Sequence, residues 1–177
     1  MIYERFFADY GHTVAQVLLT RDVISEEVRR QNAENTFSTL LKMGCIPIVN
    51  ENDTVASDEI KFGDNDTLSA YVSVLAKGDL LVNMSDTDGF YDSDPRSNPN
   101  AKMLKRIEKL DESLYKCADG AGSARGTGGM TSKLHAAEIA CGNGIPMMIV
   151  SGEDFSILYE MLNEGIQHGS YFAPFTK

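Results

Sequence analysis

Apolar positions change period along this chain, and each change marks an element. Thr13–Thr20 (TVAQVLLT) is a short apolar run rich in β-branched residues and reads as a buried strand. From Ser25 onward a helical stretch is expected, because Ala33, Phe37, Leu40 and Leu41 recur at three- and four-residue spacing. Gly44 ends it, with Lys42 in the last turn. Cys45–Asn50 (CIPIVN) is the second predicted strand; Pro47 lacks an amide donor and so marks an edge or a local irregularity. Leu68, Val72 and Leu75 space a second helix that stops at Gly78, and Asp79–Ser85 (DLLVNMS) follows as a third strand. Met130–Cys141 reads as a helix, Pro146–Val150 as a strand and Phe155–Leu162 as a further helix. Between them, Asp86–Arg125 is rich in Gly, Asp, Asn and Pro and reads as a flap or a small subdomain.

Strands alternating with helices require crossover connections, so one α/β domain over residues 1–177 is expected. Its mostly parallel sheet would be covered on both faces. In such sheets ligands bind beyond the carboxyl ends of the strands. A 42 % share of hydrophobic residues and a 24 % share of charged ones exclude a disordered chain. Sixteen basic residues against 26 acidic ones leave a net charge of −10, which argues against nucleic-acid and anionic-membrane partners. No run approaches the roughly 20 apolar residues of a membrane span. MIYERFFADYG is no secretory leader, so a cytoplasmic chain is expected. Cys45, Cys117 and Cys141, like His12, His135 and His168, stand far apart, and no metal ligands are assigned. The eight methionines read as core filler.

Three loops carry chemistry. NENDTVASDEIKFGDND, Asn50 to Asp66, holds six acids against the single base Lys61, which places half of the net charge in a tenth of the chain. It starts at a strand's carboxyl end and finishes in Asp64-Asn65-Asp66 at a helix start, where capping accounts for one acid and not for all three. An acid-lined pocket favours a cation, either a metal or the ammonium of an amino acid. SDTDGFYDSDPRSNPNAK, Ser85 to Lys102, also leaves a strand end, with turn signals at Asp88-Gly89, Asp94-Pro95 and Asn98-Pro99. GAGSARGTGGMTSK, Gly120 to Lys133, feeds glycines into a helix start with Lys133 close by, an arrangement suited to a phosphate chain, although a glycine-rich loop taken alone is more often a flexible connector. It matches neither the P-loop nor the dinucleotide fingerprint. His135 has no Ser or Cys partner at a recognisable spacing, so no nucleophile is assigned to it.

IPIVNENDTV followed by KFGDNDTLSA, then SDTDGFYDSDPR and GTGGMTSKLHAAEIA, resembles the gamma-glutamyl kinase (glutamate 5-kinase) family of the amino-acid kinase superfamily, from about Val14 to the C-terminus. The resemblance implies a three-layer α/β/α sandwich around a mostly parallel sheet. It also implies transfer of the ATP γ-phosphoryl group, with Mg²⁺, to the side-chain carboxylate of L-glutamate in proline biosynthesis. Carried over by motif, Asn50, Asp53 and Asn65 bind glutamate. Ser85, Asp86, Thr127, Gly128, Gly129, Met130, Thr131, Ser132 and Lys133 hold ATP. Lys133 and Asp66 are the catalytic pair, with Asp66 near the phosphates orienting lysine or metal. Proline as feedback inhibitor and a homo-oligomer are further implications. A carboxylate nucleophile is already ionised at neutral pH and needs no general base, which agrees with the missing triad. The resemblance also implies an amino-terminally truncated kinase domain, lacking the family's first, lysine-bearing strand and an appended PUA domain. The competing readings are an inactive fragment, a non-catalytic nucleotide- or amino-acid-binding module, and a related kinase acting on another carboxylate or on a nucleotide.

Overall fold

The computed structural model describes residues 2–120 and 129–175. In chain order its elements are α1 (Ile2–Ala8), β1 (Thr13–Leu19), α2 (Asp22–Ser25), α3 (Glu27–Lys42), β2 (Cys45–Glu51), α4 (Asn65–Leu75), β3 (Leu81–Ser85), β4 (Arg106–Ile107), α5 (Glu112–Gly120), α6 (Met130–Gly142), β5 (Met147–Ser151), α7 (Ser156–Tyr159) and β6 (Ser170–Phe172). A π-helical turn, Glu160–Glu164, continues α7. The expected strands and long helices all form. The stretch after Ser25 does not begin with a serine cap: Ser25 closes the short α2, and Glu26, extended at φ −103° and ψ 114°, separates it from α3.

The strands form two sheets. One pairs β1 with β2 in parallel, Thr13 opposite Cys45. The other runs β3-β5-β6-β4, with β3–β5 and β4–β6 parallel and β5–β6 antiparallel. Among the described residues β2 pairs only on its β1 side, which accommodates Pro47. Mostly parallel pairing follows the sequence pattern; the division into two sheets and the antiparallel β6 do not. The stretch 86–125, read from its turn residues as a flap or small subdomain, supplies β4, only two residues long, and α5, a nine-residue helix whose Leu114 and Ala118 recur at helical spacing on its buried face.

Each sheet has its own apolar core. One gathers Leu19, Val23, Ala33, Phe37, Leu68 and Leu75 around β1, α3 and α4. The other gathers Ala70, Phe90, Leu134, Ala137, Ile149 and Phe172 around α4, α6, β5 and β6. Helix α4 belongs to both, so its start is fixed where the two meet. Of the methionines, Met147 and Met148 are buried filler whereas Met43 is exposed.

The β6 strand also holds the loop that follows β3. Buried Ser170 accepts from the Phe90 amide at 2.7 Å and donates to the Phe90 carbonyl. Just before it, Gly169 has φ +58°, and a Cβ there would lie 1.9 Å from the Ile149 carbonyl oxygen. Gly169→Ala should therefore destabilise the protein by at least about 2 kcal/mol in urea unfolding, from left-handed strain plus a backbone clash. Gly165→Ala is the control, with φ +70° but open space around it, and should cost only the strain, about 1–2 kcal/mol. Equal losses would remove the clash.

Candidate active site

The carboxyl ends of β2, β3 and β5 and the starts of α4 and α6 converge on a pair of cavities. The first, of about 480 Å³, lies between the end of β2 and the start of α4; Asn50, Asp53, Asn65, Asp66 and Lys133 line it, together with Glu51, Gly63 and Asp64. The acidic loop is folded back onto its own strand: Glu51 Oε1 accepts from the Phe62 amide at 2.6 Å, and the buried Phe62 ring lies 5.9 Å from Tyr71. Asp64 is the helix cap, accepting from the Thr67 amide at 2.7 Å and its hydroxyl at 2.9 Å. Lys61 pairs with Asp58 at 3.2 Å, outside the cavity lining.

The second cavity, also of about 480 Å³, lies across the ends of β3 and β5. Asp86, Gly129, Met130 and Lys133 line it, with Asp88, Tyr91, Cys117 and Glu153. Ser85 donates to Asp86 at 3.0 Å. Tyr91 donates to Asp88 at 2.9 Å, and burial together with that carboxylate pushes its phenol upward, so it stays a donor at neutral pH. Helix α6 begins on Gly129, which offers no side-chain cap.

Lys133 lines both cavities. Its Nζ donates to Asp66 Oδ2 at 3.1 Å, with both side chains largely buried. Asp66 Oδ2 also accepts from Ser132 Oγ at 2.6 Å, and Oδ1 accepts from Asn83 Nδ2 at 2.6 Å. Burial pushes the Asp66 carboxyl upward, but the hydrogen bonds from Ser132 and Asn83 and the Lys133 charge outweigh it, and the group lies below its ordinary value.

The model of the amino acid kinase family matches residues 1–151 of this chain. The chain belongs to the amino acid kinase family. Among its relatives, the glutamate 5-kinase of Clostridium perfringens is 55 % identical over 97 % of this chain and 65 % of its own length. Glutamate 5-kinases of Clostridium tetani and Geobacter sulfurreducens are 51 % and 48 % identical, matched over 63 % and 46 % of their lengths. The chain thus spans less than two thirds of the curated relatives it matches. Solved isopentenyl phosphate kinase structures share the fold, one at TM-score 0.63 and 16 % identity over 94 % of this chain and 61 % of the other. UMP kinase from Ureaplasma parvum does so at TM-score 0.56 and 15 % identity, over 92 % and 60 %.

Against that fold, the expected site residues of this family member divide clearly. Asn50, Asp53, Asn65, Asp66 and Lys133 share the first cavity; Asp86, Gly129, Met130 and Lys133 share the second. Ser132 joins the Asp66 network, while Ser85 and the exposed Thr131 line neither cavity. Thr127 and Gly128 lie outside the described residues. Asn83 and Glu153 escape sequence reasoning, whereas Glu51 and Tyr91 fall within the loops it singles out without being assigned a role. Asn83 carries one signal, a lone amide in an otherwise apolar strand. His135 pairs with Glu138 on an exposed helix face, 3.8 Å apart.

Because the Asp66 carboxyl lies lower in the folded chain than its unfolded value of about 3.9, its stabilisation is complete above that value and is lost as pH falls through the folded one. Asp66→Asn should cost on the order of 3 kcal/mol at pH 7, since it leaves Lys133 buried without a counter-charge. The gap between parent and variant should shrink in denaturant titrations as pH falls below the ordinary carboxylate range; a gap independent of pH would assign the loss to packing.

Proposed function

We propose that this chain carries out phosphoryl transfer from ATP to the side-chain carboxylate of L-glutamate, giving glutamyl 5-phosphate for proline biosynthesis. The observation that carries the reading is Lys133, one buried ammonium shared by two cavities of different character. The first cavity mixes carboxylates with the neutral amides of Asn50 and Asn65, which suits a ligand bearing one ammonium and two carboxylates. Asp53 takes the ammonium and Asn65 donates to a carboxylate. The second, entered from the glycine-led start of α6, takes the nucleotide phosphates. The relatives' name, glutamate 5-kinase, agrees with this pairing.

The step is an in-line displacement: a glutamate carboxylate oxygen forms the bond to Pγ as the bond from Pγ to the β,γ-bridging oxygen breaks, and ADP leaves with that electron pair. No proton has to be removed from the nucleophile. Lys133 follows the charge spread over the transferring group, and Asp66 holds Lys133. The hard carboxylate oxygens lining the second cavity fit Mg²⁺, with Asp86 and Glu153 the side chains to hold it, and the ion would offset phosphate charge. A cytoplasmic homo-oligomer inhibited by proline belongs to the same reading.

Purified protein given ATP, Mg²⁺ and L-glutamate should form an acyl phosphate trapped by hydroxylamine, and calorimetry should record Mg-ADP binding. Lys133→Ala should lower kcat about 100- to 1000-fold, the effect of deleting one transition-state donor. Asp53→Ala should raise KM for glutamate about tenfold and leave that for ATP within about twofold. Hydroxamate formation in mixtures without glutamate, or weakened ATP binding in Asp53→Ala with glutamate dependence intact, would overturn the assignment of the cavities.

A further inference from the structure

Asn83 stands apart from the rest of β3. Its neighbours Leu81, Val82 and Met84 are apolar, yet its amide is buried at 8 % exposure. A buried amide is costly unless bonded, and this one is spent on the site: Nδ2 donates to Asp66 Oδ1 at 2.6 Å. The other Asp66 oxygen, Oδ2, receives both Ser132 at 2.6 Å and Lys133 at 3.1 Å. The donors are thus sorted, one on Oδ1 from β3 and two on Oδ2 from α6.

We propose that Asn83 is a positioning residue for phosphoryl transfer: by engaging Oδ1 of Asp66 it turns Oδ2 onto Ser132 and Lys133, and so fixes the Lys133 ammonium between the two cavities. The proposal rests on the kinase reading for its consequence, though not for its geometry. Without Asn83 the Oδ1 lone pairs lose their donor from β3, and the carboxylate is free to turn about its Cβ–Cγ bond and exchange its oxygens. The hydrogen bond to Lys133 then changes partner and direction. A neutral amide does this where a cation could not. A basic side chain at position 83 would compete with Lys133 for the Asp66 charge, whereas the amide orients that charge and leaves it whole. Around this point Glu51, Asp53 and Asp64 in the first cavity and Asp86 in the second are all acidic. Arg96, a further cation of the second lining, is turned to Asp94 at 3.6 Å. Among the described residues lining these cavities, Lys133 is therefore the one cation that Asp66 holds.

The test reads Lys133 directly. Purified parent, Asn83→Leu and Asn83→Asp are treated with limiting acetic anhydride, and acetylation of Lys133 is measured by peptide mass spectrometry relative to exposed Lys109. In Asn83→Leu the Lys133-to-Lys109 ratio should rise at least fivefold, with the other lysines unchanged, which separates a local release from unfolding. Asn83→Asp should show an added pH dependence. Where the new carboxyl is protonated it donates to Asp66 and keeps parent-like protection; where it ionises, two carboxylates oppose each other and the ratio climbs. Unchanged ratios in both variants would overturn the proposal and leave Asn83 as a tie between β3 and α4. Acetylation involves neither ATP nor glutamate, so that outcome is independent of the kinase reading. In the hydroxamate assay Asn83→Leu should lower kcat at least tenfold with both KM values within twofold. Released Lys133 with unchanged kcat would overturn the link to transfer, and absence of hydroxamate in the parent would count against the kinase reading alone.

Discussion

The carboxylate of Asp66 is the constraint on which the site depends. It is withdrawn from water, which opposes its charge, and it is kept ionised by donors that come from two other elements, β3 and α6. A buried charge of this kind tolerates little displacement, because each donor lost leaves an acceptor that water cannot readily serve. The start of α4 is therefore tied to β3 and to α6 at one point. That point coincides with the seam between the two cores, since α4 contributes Leu68 and Leu75 to one and Ala70 to the other. The polar knot and the apolar packing fix the same helix together.

The same knot settles how charge is distributed. Carboxylates outnumber cations in both cavity linings, and Lys133 is the cation common to them. In a partly desolvated setting a pair at about 3 Å interacts far more strongly than in bulk water. Yet a lysine has three donors, and Asp66 uses one. Among the described residues Asp66 is its hydrogen-bond partner, which leaves the ammonium capacity for an anion at the junction. A transferring phosphoryl group, anionic and placed between two ligands, is the chemistry such a half-committed cation serves in the proposed reaction.

Much of this is legible in the sequence, for a physical reason. Strands and helices with one or two buried faces betray themselves by period, so β1, β2, β3, α4, α6 and β5 are readable close to their observed boundaries. The acidic and glycine-led loops are readable because they depart from composition at strand ends. What is not legible depends on distant partners. β4 is two residues long and exists through its pairing with β6, and β6 is three residues held by pairing and by Ser170 against Phe90. Asn83 gives a weaker signal than any loop residue, since one amide in an apolar strand is equally what a satisfied structural hydrogen bond looks like. Only the 17-residue reach from Asn83 back to Asp66 distinguishes it, and that reach is a property of the fold.

The run Asp64-Asn65-Asp66 shows how a contiguous motif is divided by helix geometry. Asp64 is extended, at φ −154° and ψ 156°, so its carboxylate curls onto the Thr67 amide and hydroxyl and is consumed as a cap. Asn65 and Asp66 are the first two helical residues, and successive helical side chains are rotated by about 100° from one another. That rotation lets Asn65 line the first cavity while Asp66 also reaches β3 and α6. Three adjacent polar residues thus have three separate duties: starting the helix, lining a cavity and anchoring the lysine. The two aspartates are not interchangeable, although a single residue separates them. One acts on the backbone of its own helix, and the other acts across the seam on side chains that the rest of the fold delivers.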